Sequence, residues 1–264
     1  MVRRTPSALL KALYKGLLKS IAISPDGNCL FASVTLALNH ASAEHQQIIN
    51  RVLDAHCIKE TCTSITPQAL RYHVVSKVLD KECALMNSAC SQWIQIARSA
   101  VEEKDTVLLG EYSHVLPVLN CSDPDDLTAK ERRVLFEEMA KNTFWGEQVC
   151  VALIQRITGV TLLIIDDNGH LLHQVDDDLA HNTLPSNPLF AILHLHGKHY
   201  QPICNLKTLV FDCETLPYIV AEQILESRLD KLLPHATIDK VKKIKHYLAV
   251  KAASNPHDKL ISYV

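Results

Sequence analysis

The segment VTLLIIDD, from Val160 to Asp167, restricts the folds open to this 264-residue chain more than any other feature. Its first six positions are β-branched or aliphatic, with no alternation of apolar and charged residues. Such a run is typical of a strand that is buried on both faces of a sheet. Most of the preceding hundred residues carry helical patterns instead, so the sequence predicts a mixed α+β fold.

Helical patterns dominate the chain from about residue 41 to residue 141. Thr66, which precedes a proline, and Thr128 both have the signature of a helix start. An earlier amphipathic helix is predicted from Thr5 through Leu18, with leucines on one side and lysines on the other.

Strand patterns are confined to the region after this helical block. Just before VTLLIIDD, the sequence predicts a helix that ends at Gly159. The segment LLHQV is predicted as a short second strand, and PLFAILHLHGKHYQPIC as two strands joined near Gly197. Two further helices are predicted after Leu206.

Composition excludes several classes of protein. The formal net charge is −2, so no overall field attracts nucleic acid, and no apolar run approaches the ~18 residues of a membrane span. The nine cysteines form no C-x-x-C pair. Neither a disulfide framework nor a common zinc site is indicated, and free thiols in this number favour a reducing, cytosol-like compartment. We expect no metal and no cofactor.

The segment SPDGNCLF places Cys29 where a tight turn becomes an apolar helix. A helix N-terminus stabilises a thiolate, so we expect a lowered pKa for Cys29. Gly27 permits a close backbone approach, and the amides of Gly27, Asn28 and Cys29 are expected to converge as an oxyanion hole. Asp26 is expected to fix the turn. The alternative is an inert, half-buried cysteine.

A nucleophilic cysteine needs a histidine base, and His199 is the informative candidate among fourteen histidines. It follows an apolar strand and a Gly-Lys turn, so a rigid element would hold its ring. A metal-dependent hydrolase is a rival interpretation, because His194, His196 and His199 have H-x-H-x-x-H spacing.

Three blocks in this order resemble the ovarian-tumour (OTU) family of cysteine proteases: DGNCLF, FWGEQVCVALIQRITGVTLLIID and HYQPI. The resemblance implies a papain-like fold, with a small central sheet flanked by helices, and no cofactor. It implies a deubiquitinase that cleaves the bond after the C-terminal glycine of ubiquitin. Cys29 would be the nucleophile, His199 the base and acid, and Asp26 the third member of the triad.

Two positions depart from the family pattern. The family often has Asp or Asn two residues after the histidine, where this chain has Gln201, so we assign the orienting role to Asp26. The family also favours Trp-Gly-Gly, where this chain has Trp145-Gly146-Glu147.

The resemblance also implies a domain organisation. Residues 1–205 would form the catalytic domain, with a helical insertion at about 41–127, and residues 206–264 a C-terminal helical extension. The Lot class of bacterial effector deubiquitinases has an enlarged helical lobe at this place, which implies secretion into a host cytoplasm. Ubiquitin and polyubiquitin are the expected partners, with Trp93, Trp145 and Tyr200 as contacts. A non-catalytic ubiquitin-binding module is the second alternative.

Overall fold

The computed structural model describes residues 16–55, 64–146, 148–172, 188–227 and 229–254. The helices are α1 (Cys29–Asn39), α2 (Ala43–Ala55), α3 (Pro67–Val75), α4 (Ala84–Glu103), α5 (Thr106–Glu111), α6 (Ala129–Met139), α7 (Gln148–Thr158), α8 (Tyr218–Glu226) and α9 (His235–Ser254). The strands are β1 (Lys19–Ser20), β2 (Val160–Ile165), β3 (Leu171–Leu172), β4 (Leu189–His196), β5 (His199–Cys204) and β6 (Val210–Phe211). The predicted α+β class, a small sheet flanked by helices, is confirmed.

The described strands form one sheet in the order β1-β5-β4-β2-β3, with β6 paired to β4. β2 and β4 are parallel, and the other pairs are antiparallel. β4 and β5 form the predicted hairpin: His196 pairs with His199 across the two-residue turn, where Gly197 has a φ of +59°. That left-handed conformation favours glycine.

Helices cover both faces of the sheet, as the continuous apolar pattern of β2 predicts. Leu162 and Ile164 face a core built from α1 to α4, α6 and α7. Leu163 and Ile165 face a second core that α8 and α9 complete. The described part of the C-terminal segment therefore packs directly on the sheet, and it also contributes β6, a strand that the sequence pattern did not indicate.

The predicted helix starts are confirmed, because side chains satisfy the free amides there. Thr66 Oγ1 accepts a hydrogen bond from the Ala69 amide at 3.1 Å, and Thr128 forms a reciprocal capping box with Glu131. Gly159, with a φ of +67°, follows the last residue of α7.

The N-terminal helix prediction is wrong at its C-terminal end. Residues 1–15 lie outside the described part, but Leu18 is fully buried in the second core and Lys19–Ser20 pair with β5 as β1. Edge pairing and burial of Leu18 outweigh the local helical pattern. No helix in the described ranges is long and apolar enough to cross a membrane.

Candidate active site

The turn before α1 is closed by its own carboxylate and carbonyl. The amide of Asn28 donates to Asp26 Oδ1 at 2.9 Å, and the amide of Cys29 donates to the Asp26 carbonyl at 3.0 Å. Asp26 therefore fixes the turn as expected. Two of the three amides expected to line an oxyanion hole already donate hydrogen bonds within the turn. The predicted oxyanion hole is therefore not formed in this conformation.

Gly27 is required at this turn by a close backbone approach. A Cβ atom built there would lie 1.8 Å from the carbonyl oxygen of Asn142 and 3.0 Å from that of Phe144. The segment before Trp145 thus packs directly on the cysteine turn.

Cys29 is 1% exposed at the first position of α1. Its Sγ lies 3.9 Å from the Lys198 carbonyl oxygen and accepts a hydrogen bond from the Tyr200 amide at 3.5 Å. Burial raises the pKa of Cys29, although the amides of Tyr200 and Leu30 act in the opposite direction. The predicted lowering of this pKa is therefore wrong for this conformation, because desolvation disfavours the thiolate more than the amides stabilise it.

His199 begins β5, and its backbone lies directly beside the Cys29 thiol. Tyr200 belongs to the same core as Cys29, whereas strand alternation turns the His199 side chain toward the opposite face of β5. Its Nδ1 is buried without a hydrogen-bond partner among the described residues, and its ring makes no hydrogen bond with Cys29. The structure therefore brings the thiol to the base's backbone, not to its ring.

Neither side chain considered for orienting His199 contacts its ring. Asp26 is exposed and makes no hydrogen bond with His199, so the orienting contact predicted for it is not formed. Gln201 Oε1 accepts a hydrogen bond from the Ser20 hydroxyl at 2.7 Å.

Arg71, on α3, is a site residue that the sequence interpretation missed. It is 2% exposed, and Nε donates to Asn28 Oδ1 at 2.8 Å. The guanidinium also donates to the backbone carbonyls of Gly27, Met139, Lys141 and Phe144. Arg71 thus joins the cysteine turn to the segment before Trp145. Its position beside Leu70 and four residues before Val75, on the apolar face of α3, was the available signal.

A cavity of about 1070 Å³ lies between the helical block and the β4–β5 hairpin. Its walls include all three predicted ubiquitin contacts, Trp93, Trp145 and Tyr200. Trp145 is 39% exposed, but Trp93 is only 4% exposed and packs edge-on against His114 and Phe144. Trp93 is therefore a core residue that also lines the cavity, with little surface exposed for a partner.

His114, in the wall of this cavity, is expected to make the protein less stable in acid. Burial lowers the pKa of His114 from 6.5 to about 4. Between these values the unfolded chain binds a proton that the folded chain excludes, so stability is full above pH 6.5 and falls as the pH is lowered. Urea midpoints measured across this range test the prediction. His114→Phe should reduce the pH-dependent loss, and an unchanged loss would contradict it.

Two of the three histidines that the metal-site hypothesis proposes as ligands lie beside a carboxylate. His196 bonds to the Asp167 carboxylate, and His194 lies close to the same carboxylate. Within the described ranges, no group of three His, Cys, Asp or Glu side chains is arranged to hold a metal ion.

No protein-family model and no curated protein matches the chain. Among solved structures, it is similar to an OTU domain in complex with ubiquitin, at 15% identity and a TM-score of 0.39, over 81% of this chain and 87% of that one. It is also similar to an OTU deubiquitinase in complex with Ub-PA, at 12% identity and a TM-score of 0.37, over 79% of each chain. The viral OTU protease from Dera Ghazi Khan virus matches at 14% identity and a TM-score of 0.25, over 72% and 81%. TM-scores this low do not establish a shared fold.

Proposed function

We propose that this protein is a deubiquitinase of the OTU type, a cysteine protease that hydrolyses the bond after the C-terminal glycine of ubiquitin. One observation carries the proposal: the three sequence blocks that resemble the family meet in space. Gly27 packs on the backbone of Phe144, Gly146 packs on Leu30, and the Cys29 thiol contacts the Tyr200 amide. This packing brings together Cys29 and Tyr200, which are 171 positions apart in the sequence.

In this mechanism His199 accepts the proton of the Cys29 thiol, and the thiolate attacks the carbonyl carbon of the terminal glycine. His199 then protonates the departing lysine amine, which leaves an acyl-enzyme thioester. Water, deprotonated by His199, hydrolyses the thioester and regenerates the thiol. The reaction requires the His199 ring to reach Sγ and requires Sγ to become accessible, so the hairpin must shift when substrate binds. Catalytic hydrogen bonds often form only in the substrate complex.

We assign the extended C-terminal tail of ubiquitin to the cavity between the helical block and the β4–β5 hairpin, because Tyr200, whose amide contacts the Cys29 thiol, is in its wall. Trp145 and Val107, 39% and 74% exposed, give it apolar surface, and Tyr200 lines it close to the thiol. Exposed aromatic side chains at the edge of such a cavity are candidate hot spots for binding.

A non-catalytic ubiquitin-binding module is the second candidate. Two observations favour it: Cys29 is buried with a raised pKa, and His199 makes no hydrogen bond with it.

Ubiquitin with a C-terminal electrophile is expected to modify the wild-type protein at Cys29 and to leave Cys29→Ala unmodified. The wild type is also expected to cleave di-ubiquitin, whereas Cys29→Ala should retain binding without cleavage, because it lacks the nucleophile but keeps the fold. A panel of all di-ubiquitin linkages, followed on gels, measures this. Cys213→Ala, which changes a different cysteine that is only partly buried, is the control. Binding without modification of Cys29 would favour the non-catalytic module.

We further propose that the enzyme acts in a host cytoplasm as a bacterial effector of the Lot class. The long helical block between Cys29 and Trp145 supports this proposal. The described cysteines, which are all free, fit a reducing compartment. Cleavage of host polyubiquitin after delivery from a bacterium tests it.

A further inference from the structure

The backbone of the β4–β5 hairpin covers the Cys29 thiol. The thiol donates to the Lys198 carbonyl oxygen at 3.9 Å and accepts a hydrogen bond from the Tyr200 amide at 3.5 Å. Cys29 is 1% exposed in this arrangement. A thiol covered in this way cannot reach the carbonyl carbon of a substrate, so the position of the hairpin turn decides whether Cys29 is available.

Two acidic side chains from different elements hold this turn. Glu111 of α5 forms an ion pair with the Lys198 side chain. Asp167, in the β2–β3 loop, accepts hydrogen bonds from His196 Nδ1 at 2.6 Å and from the Gly197 amide at 3.0 Å. Three consecutive residues of the turn, 196–198, are therefore tethered in the conformation that covers the thiol.

The ion pair between Glu111 and Lys198 also spans the cavity beside the site. Both residues line this cavity, Glu111 from the helical block and Lys198 from the hairpin, so the pair connects two of its walls. Lys198 thus contacts the thiol through its backbone and the opposite wall through its side chain. A substrate tail that occupies the cavity meets this ion pair.

We propose that the turn at residues 196–198 is an autoinhibitory latch: Glu111 and Asp167 hold it closed over Cys29, and a substrate tail in the cavity releases it and exposes the nucleophile. The inference rests on the proposed function, in which Cys29 is the nucleophile, and it names the regulation of that site. The Asp167 and Glu111 contacts belong to the closed state, in which the His199 ring is turned away from Cys29.

The tethers are weak enough for a substrate to break. The side chains of Lys198 and Glu111 are 66% and 41% exposed, and those of His196 and Asp167 are 75% and 46% exposed. Exposed pairs contribute little to stability, so each tether should shift the latch only several-fold. A Cβ atom built at Gly197 would meet no atom within 4 Å, which leaves space beside the turn for the movement.

The test measures how fast iodoacetamide alkylates each cysteine, by mass spectrometry of peptides and without ubiquitin. A covered thiol reacts only when the structure opens locally, so the rate at Cys29 reports the open fraction of the latch. Glu111→Gln should raise this rate roughly two- to fivefold, and Asp167→Ala by a similar factor. The double variant should raise it by about 10-fold, because both tethers break in the same opening step.

Two matched variants change carboxylates that do not hold the turn. Glu137→Gln removes an exposed ion pair within α6, and Asp166→Asn changes a carboxylate that accepts hydrogen bonds within its own turn. Both should alkylate at Cys29 at the wild-type rate. Cys90, which is 0% exposed in the core, is the internal reference and should keep its rate in every variant. Acceleration of Cys90 by the same factor as Cys29 would show a general loosening and overturn the latch.

A charge swap tests the ion pair itself. Glu111→Lys and Lys198→Glu should each accelerate alkylation of Cys29, and the two together should return it to within about twofold of wild type, because the pair re-forms with its charges exchanged. An equal rate at Cys29 in the wild type and in the double variant of Glu111→Gln and Asp167→Ala would overturn the latch. A wild type that does not react with the ubiquitin electrophile would overturn the proposed function, and the alkylation rates would still decide separately whether the turn is a latch.

Discussion

Arg71→Met is expected to lower the free energy of unfolding by about 3 kcal/mol or more. The substitution removes the guanidinium from five acceptors: Asn28 Oδ1 and the carbonyls of Gly27, Met139, Lys141 and Phe144. The Lys141 carbonyl still accepts a hydrogen bond from the Phe144 amide, so the other four lose the donor that they have in this structure. Each buried polar group left unpaired costs about 1–3 kcal/mol, and several of these groups cannot reach water without opening the turn. Urea unfolding followed by circular dichroism measures the loss.

Arg133→Met is the matched control, because Arg133 is 64% exposed and its ion pair with Glu137 lies within one helix. We expect that change to stay within about 0.5 kcal/mol. Arg71→Lys should give an intermediate loss, since an ammonium keeps the charge but cannot span all five acceptors. Equal losses for Arg71→Met and Arg133→Met would show that the buried hydrogen bonds do not stabilise the fold.

Features set by local pattern were predictable from the sequence. The helix starts at Thr66 and Thr128, the end of α7 at Gly159 and the hairpin at Gly197 each depend on residues within a few positions of one another. The double burial of β2 was also predictable, because a strand with no polar face has no side to expose.

Features set by distant partners were not predictable in this way. The end of the N-terminal helix prediction failed because Lys19 and Ser20 pair with Cys204 and Ile203 of β5, which are distant in the sequence. Trp93 is in the core because His114 and Phe144 close over it, and a helical pattern alone does not say whether such a ring is covered. Arg71 needed knowledge of which carbonyls would surround it.

The pKa of Cys29 likewise depends on a local effect, which was predictable from the sequence, and on a distant strand, which was not. The sequence correctly indicated a helix N-terminus, where amides favour a thiolate. The opposing effect comes from β5, which covers the thiol and removes it from water. Burial raises the pKa of Cys29 by more than the amides lower it. The motif alone predicts a lowered pKa, but the pKa is raised as long as the hairpin covers the thiol.

Gly27→Ala is expected to reduce cleavage of ubiquitin substrates by about 100-fold, even in the fraction of protein that folds. The new Cβ would lie 1.8 Å from the Asn142 carbonyl oxygen, and this obstacle is backbone rather than a flexible side chain. The turn or the segment at Asn142 must move, and a displacement of about 1 Å at a catalytic group has an effect of this size. The measurement is kcat per site that reacts with the ubiquitin electrophile.

The matched control is Gly110→Ala, whose added Cβ would meet no atom within 4 Å. Gly110 lies inside α5, where alanine is the better helix former, so this variant should unfold at or above the wild-type midpoint. Gly27→Ala should unfold well below it, because its clash also displaces the carbonyls that Arg71 binds. Loss of activity would then accompany loss of stability at Gly27 because one contact, between the cysteine turn and the segment before Trp145, supports both. If Gly27→Ala kept wild-type kcat and stability, the close packing of these two segments would not be what positions Cys29.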